Sequence, residues 1–424
     1  MRKIITIAGI ILICGLFSGF ANGSSDSLSR VISVMKILAR MEGSASDADI
    51  NANGKVTIAD AIYGLQVTAG LRSAPARIFA GGASNARTDG STGTVKSWGR
   101  NDVGQLGTGN TADPTATPTS VNLGVGKGAK QVAVGIEHAC AILNDNSVSC
   151  WGSNSSGQLG QPLTTTISSS PLPVPDVTAK AVAVGLEHTC IITLTGSVQC
   201  WGSNVKGQLG RPVGNPIESY LPQAAITGLS AKTIKSGYNY MCAIALDDTV
   251  KCWGDNQYGQ LGNNSKVDSS TIVSAGSLSG VTQLTAGAYH SCAATSSTIS
   301  CWGRNDSGEL GSNGTTSLSV PTRTNIIRSG VSQLVAGLSH TCALSGTTVE
   351  CWGSNANKQL SGSTAGGNSF VKVSLTNSPL SLSAGLTHTC AQDSKDQTYC
   401  WGAGTQGRLG PNATADSATP VLVP

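Results

Sequence analysis

Charge is scarce in this 424-residue chain, at 12% of residues, and aromatic side chains are scarcer still, at 4% with only four phenylalanines. The charge that is present is balanced: 27 basic residues, two of them Arg2 and Lys3 at the very start, face 23 acidic ones. No basic run interleaved with aromatics occurs. That excludes a nucleic-acid footprint. Gly-x-Ser-x-Gly, a phosphate-cradling glycine loop ahead of a helix, and an isolated acid pair are all missing, which removes the usual signatures of nucleophile-elbow hydrolases and nucleotide binders. Among thirteen cysteines there is no Cys-x-x-Cys, so zinc-type thiol ligation lacks its spacing. What is abundant is glycine, 53 residues, as suits a turn-rich β-protein.

The chain repeats itself. All seven tryptophans, Trp98, Trp151, Trp201, Trp253, Trp302, Trp352 and Trp401, stand in one frame, 49 to 53 residues apart, each followed by Gly. Downstream of each comes Gln-Leu-Gly or a variant, from Gln105-Leu106-Gly107 to Gln359-Leu360-Ser361 and Arg408-Leu409-Gly410. A unit holds four short extended runs, in the second copy 118–121, 131–134, 140–143 and 147–151. This is a strand pattern, not a helical one. Such a unit cannot bury both faces alone and must stack on its neighbours, so the expectation is an all-β, seven-bladed β-propeller over 77–424. The last run, 420–423, resembles the strand that opens a unit, whereas the first unit begins at Arg77 without it. Residues 420–423 are therefore expected to complete the first blade and close the ring.

Twelve cysteines fall in pairs 9 or 10 residues apart, each ending just before a tryptophan: Cys140/Cys150, Cys190/Cys200, Cys242/Cys252, Cys292/Cys301, Cys342/Cys351 and Cys390/Cys400. The first unit lacks both members together, with Arg87 and Ser97 in their places. Joint loss is what bonded pairs predict. With the turn near Asp145, Cys140 stands opposite Cys150 on a hairpin, at a spacing a disulfide bridges. Six such bridges need an oxidising compartment.

The pattern Gly-x-x-His-x-Cys-Ala followed by Cys-Trp-Gly-x-Asn-x-x-Gly-Gln-Leu-Gly resembles the repeat of the regulator of chromosome condensation family, in a cysteine-paired form like that of bacterial secreted members. The resemblance covers about four fifths of the chain. It implies the propeller, and a superfamily shared with a secreted beta-lactamase inhibitor protein. It does not fix a function, since one fold hosts many.

Ahead of the repeats, residues 1–23 read as a secretory signal: Arg2 and Lys3, an apolar stretch, then Ala21-Asn22-Gly23. An uncleaved anchor and a lipid-anchored N-terminus at Cys14 remain as alternatives. Residues 24–72 change composition, with helical periodicity and neither Trp nor Cys. Within them Asp49, Asn51, Asn53, Lys55, Thr57 and Asp60 fit the positions of a twelve-residue calcium loop, with Gly54 at the sharp turn and Lys55 supplying a backbone carbonyl. One calcium ion is the expected cofactor. The stretches from Leu28 and from Ile58 align at an offset of thirty. Two such helices with one loop resemble the dockerin family, which implies a cohesin-like partner. Residues 73–76 form a linker.

Histidine is the usual acid or base near neutral pH. All five, His138, His188, His290, His340 and His388, recur at one repeat position, with Asn85 and Tyr240 in the other two units. A catalytic group is placed once, so these read as structural, and no enzyme activity is expected. The copies differ in the Ser-, Thr-, Asn- and Gly-rich loops after Gln-Leu-Gly, at 161–170, 211–220, 263–270 and 361–369. Binding belongs there. The reading is an exported, monomeric, non-catalytic binding or scaffold protein, secreted or on the cell surface, that recognises an extracellular protein or glycan and takes neither nucleic acid nor nucleotide. The alternatives are a secreted inhibitor of an extracellular enzyme and a component of carbohydrate-active machinery.

Overall fold

The computed structural model describes residues 77–424 apart from 214–217, 223–225, 313, 326–329 and 363–365. The expected signal and helical module, and the residues expected to form the calcium loop, Asp49, Asn51, Asn53, Lys55, Thr57 and Asp60, lie outside the described residues. The first sheet holds β1 (Arg77–Ala80), β2 (Ser84–Thr88), β3 (Val95–Gly99) and β4 (Thr115–Ser120) in that order. A seven-stranded sheet follows: β5 (Ala129–Val134), β6 (His138–Leu143), β7 (Ser147–Ser153), β8 (Ile167–Val184), β9 (His188–Thr193), β10 (Val198–Ser203) and β11 (Glu218–Ser219). The remaining four sheets are meanders of four: β12–β15 (Ala231–Ser236, Tyr240–Ala245, Val250–Gly254, Ser269–Ser274), β16–β19 (Gln283–Ala286, His290–Ala294, Ile299–Gly303, Leu318–Arg323), β20–β23 (Val331–Ala336, His340–Ser345, Thr348–Gly353, Gly367–Val373) and β24–β27 (Pro379–Ala384, His388–Asp393, Thr398–Gly402, Ser417–Val423).

The architecture is an all-β propeller of six sheets, which corrects the expected seven blades. The reason lies in β8, whose eighteen residues pair with β7 in their first part and with β9 in their last. Between other neighbouring sheets several residues of turn let the chain leave one sheet and enter the next, as at 121–128 or 275–282. No such turn interrupts β8. Two repeat units are thereby fused into one sheet, although each keeps its own tryptophan hairpin.

Ring closure also departs from expectation. Residues 420–423 belong to β27, which pairs with β26 inside the last sheet, and β4 completes the first sheet from within it. No strand is exchanged. The ends meet instead through hydrogen bonds between the first and last units: Trp98 donates its indole N–H to the Arg408 carbonyl at 3.2 Å, Ala80 N donates to Ser383 Oγ at 2.6 Å, and Leu386 N donates to the Gly82 carbonyl at 3.1 Å. Ile78 and Trp98 share an apolar cluster with Cys390, Cys400, Leu409 and Val423.

The same joint recurs around the ring. Each tryptophan is buried and donates its indole N–H to the carbonyl that closes the previous unit's loop: Gln105, Gln158, Gln208, Gln260, Glu309 and Gln359 at 2.8–3.0 Å. Each disulfide packs against the next unit's tryptophan, as Cys242 and Cys252 do against Trp302. The six bridges join Cys140–Cys150, Cys190–Cys200, Cys242–Cys252, Cys292–Cys301, Cys342–Cys351 and Cys390–Cys400, directly opposed at Cα–Cα 4.1 Å. In the first sheet the opposed pair is Ala86 and Ser97. The expected place of Arg87 is thus off by one, because the β2–β3 turn is one residue longer than the β6–β7 turn.

The glycine after each tryptophan has a steric cause. Gly152 has φ 104°, and a Cβ there would fall 2.3 Å from the Glu137 carbonyl oxygen. A β-bulge interrupts the β7–β8 ladder between Cys150 and Gly152, and only glycine accommodates that backbone.

Candidate binding face

All five histidines are buried. Burial lowers His138, His188 and His290 to about 3 and His340 to about 4, and holds His388 well below the ordinary histidine value. Each Nε2 reaches the next unit: His138 to Thr189 Oγ1 at 2.9 Å, His290 to Thr341 at 2.9 Å, His340 to Thr389 at 3.0 Å, His388 to Asn85 Oδ1 at 2.8 Å, and His188 to Ser236 Oγ at 3.1 Å. Thr189 spends its one proton on the Gln158 carbonyl, so it accepts from His138. Nε2 therefore carries the proton. The bare Nδ1 has no partner in any of the five. Four of the rings, those of His188, His290, His340 and His388, lie where a Cβ on the glycine three residues earlier would fall, 2.5 Å from His290 Cε1 at Gly287. These are joints between units, with no proton to exchange near neutral pH. Register also shows that Ser84, not Asn85, holds the histidine position in the first sheet; Asn85 is the partner that receives His388.

Two loop sets share one face of the ring. The residue after Trp-Gly donates its N–H to the turn before the histidine position in every unit: Arg100 to Ala83, Ser153 to Glu137, Ser203 to Glu187, Asp255 to Asn239, Arg304 to Tyr289, Ser354 to Ser339 and Ala403 to Thr387. The loops after Gln-Leu-Gly join the same face, because the Asn of Trp-Gly-x-Asn binds their carbonyls, as Asn154 does at Gln161 and Thr165. The described residues of these loops, 161–170, 211–213, 263–270 and 366–369, so lie on the face that carries the turns.

The face is not uniform. Across the fourth and fifth units Tyr289 packs edge-on against Tyr238 at 5.1 Å and Tyr258 at 5.3 Å, with the Arg304 guanidinium 5.7 Å from the Tyr258 ring and 5.9 Å from the Tyr289 ring. Asp306 fixes Arg304 at 2.7 Å. Beside them Asp255 is buried; burial pushes its carboxyl up, Gln260 donates to it at 3.0 Å, and the Lys206 ammonium lies 3.9 Å away as a long ion pair. Lys206 binds the more exposed Asp268 at 2.9 Å, and that ion pair outweighs burial and holds Asp268 low. Burial pushes the Tyr238 hydroxyl up to about 12 and raises Tyr289, aided by nearby Asp255. The three tyrosines are half-buried. Exposed apolar side chains also occur on the loops of the third and fourth units: Val205, Val213, Tyr220, Leu221 and, at 74% exposure, Val267.

A family model described as the RCC1-like domain matches residues 64–377. The chain belongs to the RCC1-like domain family. Among curated relatives, the Arabidopsis thaliana ultraviolet-B receptor UVR8 is 29% identical over 176 residues, which cover 41% of this chain and 28% of the receptor. The human probable E3 ubiquitin-protein ligase HERC6 is 30% identical over 212 residues, 47% of this chain and 20% of the ligase. The chain thus spans less than a third of either relative. Of solved structures, Prp20p from Saccharomyces cerevisiae superposes with a TM-score of 0.68 at 21% identity, over 82% of this chain and 86% of that one. Human WBSCR16 also gives 0.68 at 21% identity, over 75% and 87%. These likenesses show the RCC1-like fold.

Within that RCC1-like frame, the sequence pointed to the variable loops but not to the tyrosine cluster. Tyr238, Tyr258 and Tyr289 are 20 and 31 residues apart in pairs, and only the stacking of consecutive units brings them together. A signal was present: the fourth unit departs from the repeat at Tyr238, Tyr240, Asp255 and Tyr258 together. Among the described residues no group of three or more His, Cys, Asp or Glu side chains is placed to hold a metal ion.

Proposed function

We propose that this RCC1-like protein is an exported, non-catalytic binding or scaffold protein. It engages an extracellular protein partner through the loop face, centred on Tyr258, Tyr289 and Arg304. The observation that carries this is the clustering of three tyrosines and an arginine in one sector, the residue types that dominate binding energy at protein interfaces. Interlocked edge-to-face rings with Arg304 against them offer edges and hydroxyls rather than an open platform, which favours a protein over a glycan. Prp20p, which shares the fold, has binding properties to Gsp1p and histones. A protein-binding role is in keeping with that, whereas balanced charge argues against nucleic acid here.

Export is supported by six disulfides and by the leader-like residues 1–23. In this reading 49–60 binds one calcium ion and tethers the ring to a cohesin-like partner, while the seven repeat units, two sharing β8, form the recognition platform. A photo-crosslinking residue at position 258 should capture a partner from the producing cell's exterior that the same residue at Asp145, on a hairpin turn away from this face, does not. Capture lost in Tyr289→Ala supports the reading; equal capture from both positions overturns it, and capture of glycan alone would replace the protein partner. A secreted enzyme inhibitor is the second reading, favoured by the same tyrosines, and inhibition of an extracellular hydrolase would decide for it.

A further inference from the structure

In the second, third and fourth units the glutamine of Gln-Leu-Gly uses both ends of its amide. The oxygen accepts from the backbone N–H two residues earlier, at Ser156, Lys206 and Tyr258, over 2.7–2.9 Å. The nitrogen reaches the side chain five residues earlier, Ser153 and Ser203 at 3.5 Å and Asp255 at 3.0 Å. The fifth unit has Glu309 in that place. Its Oε2 accepts from Ser307 N at 2.8 Å, so Oε1 stands where the amide nitrogen stands elsewhere, and no donor meets it although the residue is fully buried. The side chain five residues earlier is Arg304. It forms no ion pair with Glu309; it donates Nε to Asp306 at 2.7 Å and lays its guanidinium against the rings of Tyr258 and Tyr289.

The first unit shows the same arrangement with every group answered. Arg100 pairs with Asp102 at 2.6 Å and reaches Glu137 of the next unit at 3.4 Å, while Gln105 donates to Asp102 at 3.0 Å. In the fifth unit Glu309 replaces that glutamine, so Asp306 has no amide donor and one cation is left to two carboxylates. The neighbouring trio has the same deficit, with Lys206 placed between Asp255 and Asp268. Four carboxylates beside Tyr258 and Tyr289 thus share two cations. A buried carboxylate oxygen without a donor costs more than an exposed ion pair gains. Arg304 is therefore better placed on Glu309 whenever another cation holds Asp306.

We propose that Arg304 keeps the place of a basic side chain, a lysine or arginine, presented by the protein partner. On binding, the partner's cation lies against Tyr258 and Tyr289 and pairs with Asp306, whose side chain is 56% exposed, while Arg304 turns inward to Glu309. Both carboxylates of the fifth unit then have a cation each. The tyrosine faces attract a cation whichever chain supplies it, and an acidic side chain would meet a sector already short of positive charge. This rests on the loop-face reading above and assigns the chemistry of its partner.

The test uses the whole chain with 3-fluorotyrosine at its tyrosines and, as probes, the blocked tripeptides Gly-Lys-Gly, Gly-Arg-Gly and Gly-Glu-Gly. The ¹⁹F lines of Tyr258 and Tyr289, assigned through Tyr258→Phe and Tyr289→Phe, should shift saturably with the two basic peptides and not with the acidic one. Asp306→Asn should weaken that binding by about fivefold, the scale of one partly exposed ion pair. Arg304→Gln empties the place and should tighten binding by about threefold, whereas an arginine that anchored the ligand itself would give the opposite sign. Saturable shifts with Gly-Glu-Gly, weaker binding of the basic peptides in Arg304→Gln, or no shift with any peptide overturns the proposal. Partner capture from position 258 that is lost in Tyr289→Ala leaves the protein-binding reading standing in those cases, and equal capture from positions 258 and 145 removes both. Intact mass showing six disulfides in every variant separates a lost site from a lost fold.

Discussion

The fourth and sixth units are built on the same joints and yet present different faces. Trp253 and Trp352 reach back to the preceding unit at 2.9 and 2.8 Å, and both units carry the opposed cysteine bridge. At the turn the sixth unit reads Gly337-Leu338-Ser339-His340-Thr341 and the fourth Gly237-Tyr238-Asn239-Tyr240-Met241. Tyr240 performs the histidine's task differently, its hydroxyl reaching the carbonyls of Gly287 and His290 in the next unit. Burial drives that hydroxyl well above the ordinary tyrosine value, so it stays neutral, as His340 does. The joint tolerates a swap as long as one neutral polar group spans to the next unit. Change on the rim above it, to Tyr238, Asp255 and Tyr258, is then free to serve recognition.

The comparison is broken most forcefully by acid. Five histidines are neutral when folded at pH values where they take a proton unfolded. The unfolded chain binds more protons below about pH 6.5, so stability falls as pH drops, by about 1.4 kcal/mol per pH unit for each histidine. The loss continues down to about pH 3 to 4, where the folded values lie. Asp255 and Glu309, whose carboxyls burial raises, oppose this only in the carboxylate range. Denaturant titrations from pH 7 to 5 should show the slope, and His340→Gln should shrink it, while Tyr240→Phe leaves the slope intact. An unchanged midpoint across that window would show that the rings are not held neutral.

Next in size are the bridges. Replacing Cys342 and Cys351 by Ala opens a loop of about ten residues and should cost roughly 2 to 3 kcal/mol on the chain-entropy account. The first sheet offers the reverse experiment: Ala86→Cys with Ser97→Cys should add a seventh bridge, visible by non-reduced peptide mapping, whereas Arg87→Cys with Ser97→Cys should not. Formation of the second pair instead would mean the β2–β3 register is wrong.

A third contrast separates recognition from stability. Tyr289 is half-buried, so Tyr289→Ala should cost only about 1 kcal/mol of stability but abolish crosslinking from position 258. Ser339→Ala, its counterpart in the sixth unit, should change neither. If Ser339→Ala weakens capture as much as Tyr289→Ala, the tyrosine sector is not special.

The repeat was legible in the sequence because its grammar is local: the cysteine spacing, the Trp-Gly step and the Gln-Leu-Gly each report a hairpin or a bulge within a few residues. The sheet count and the closure were not, since both depend on whether a chain leaves a sheet. Residues 174–178 lack the glycine-bearing turn found at 122–128, and 420–423 resemble an opening strand only if unit boundaries are drawn one strand too early. The one-residue error at Arg87 came from counting back from Trp98 across a longer turn. The three tyrosines of the cluster were hidden for a different reason. Their meaning comes from neighbours in adjacent units, which spacing within one unit does not encode.

The smallest effect tests how far the grammar itself is obligatory. The last residue of Gln-Leu-Gly takes a left-handed backbone, φ 70° at Gly107 and 72° at Gly262, and Ser361 adopts 69° in the one copy that lacks glycine. A non-glycine residue there costs about 1 kcal/mol, but Ser361 Oγ donates to the Ala418 carbonyl at 2.9 Å, a bond worth roughly as much. Ser361→Gly relieves the first and forfeits the second, so its thermal midpoint should match the unaltered protein's. Ser361→Ala keeps the strain and loses the bond, and should be less stable by about 1 kcal/mol. If alanine is tolerated as well as serine, the hydroxyl contributes nothing and the strain is absorbed elsewhere in the sixth unit's loop.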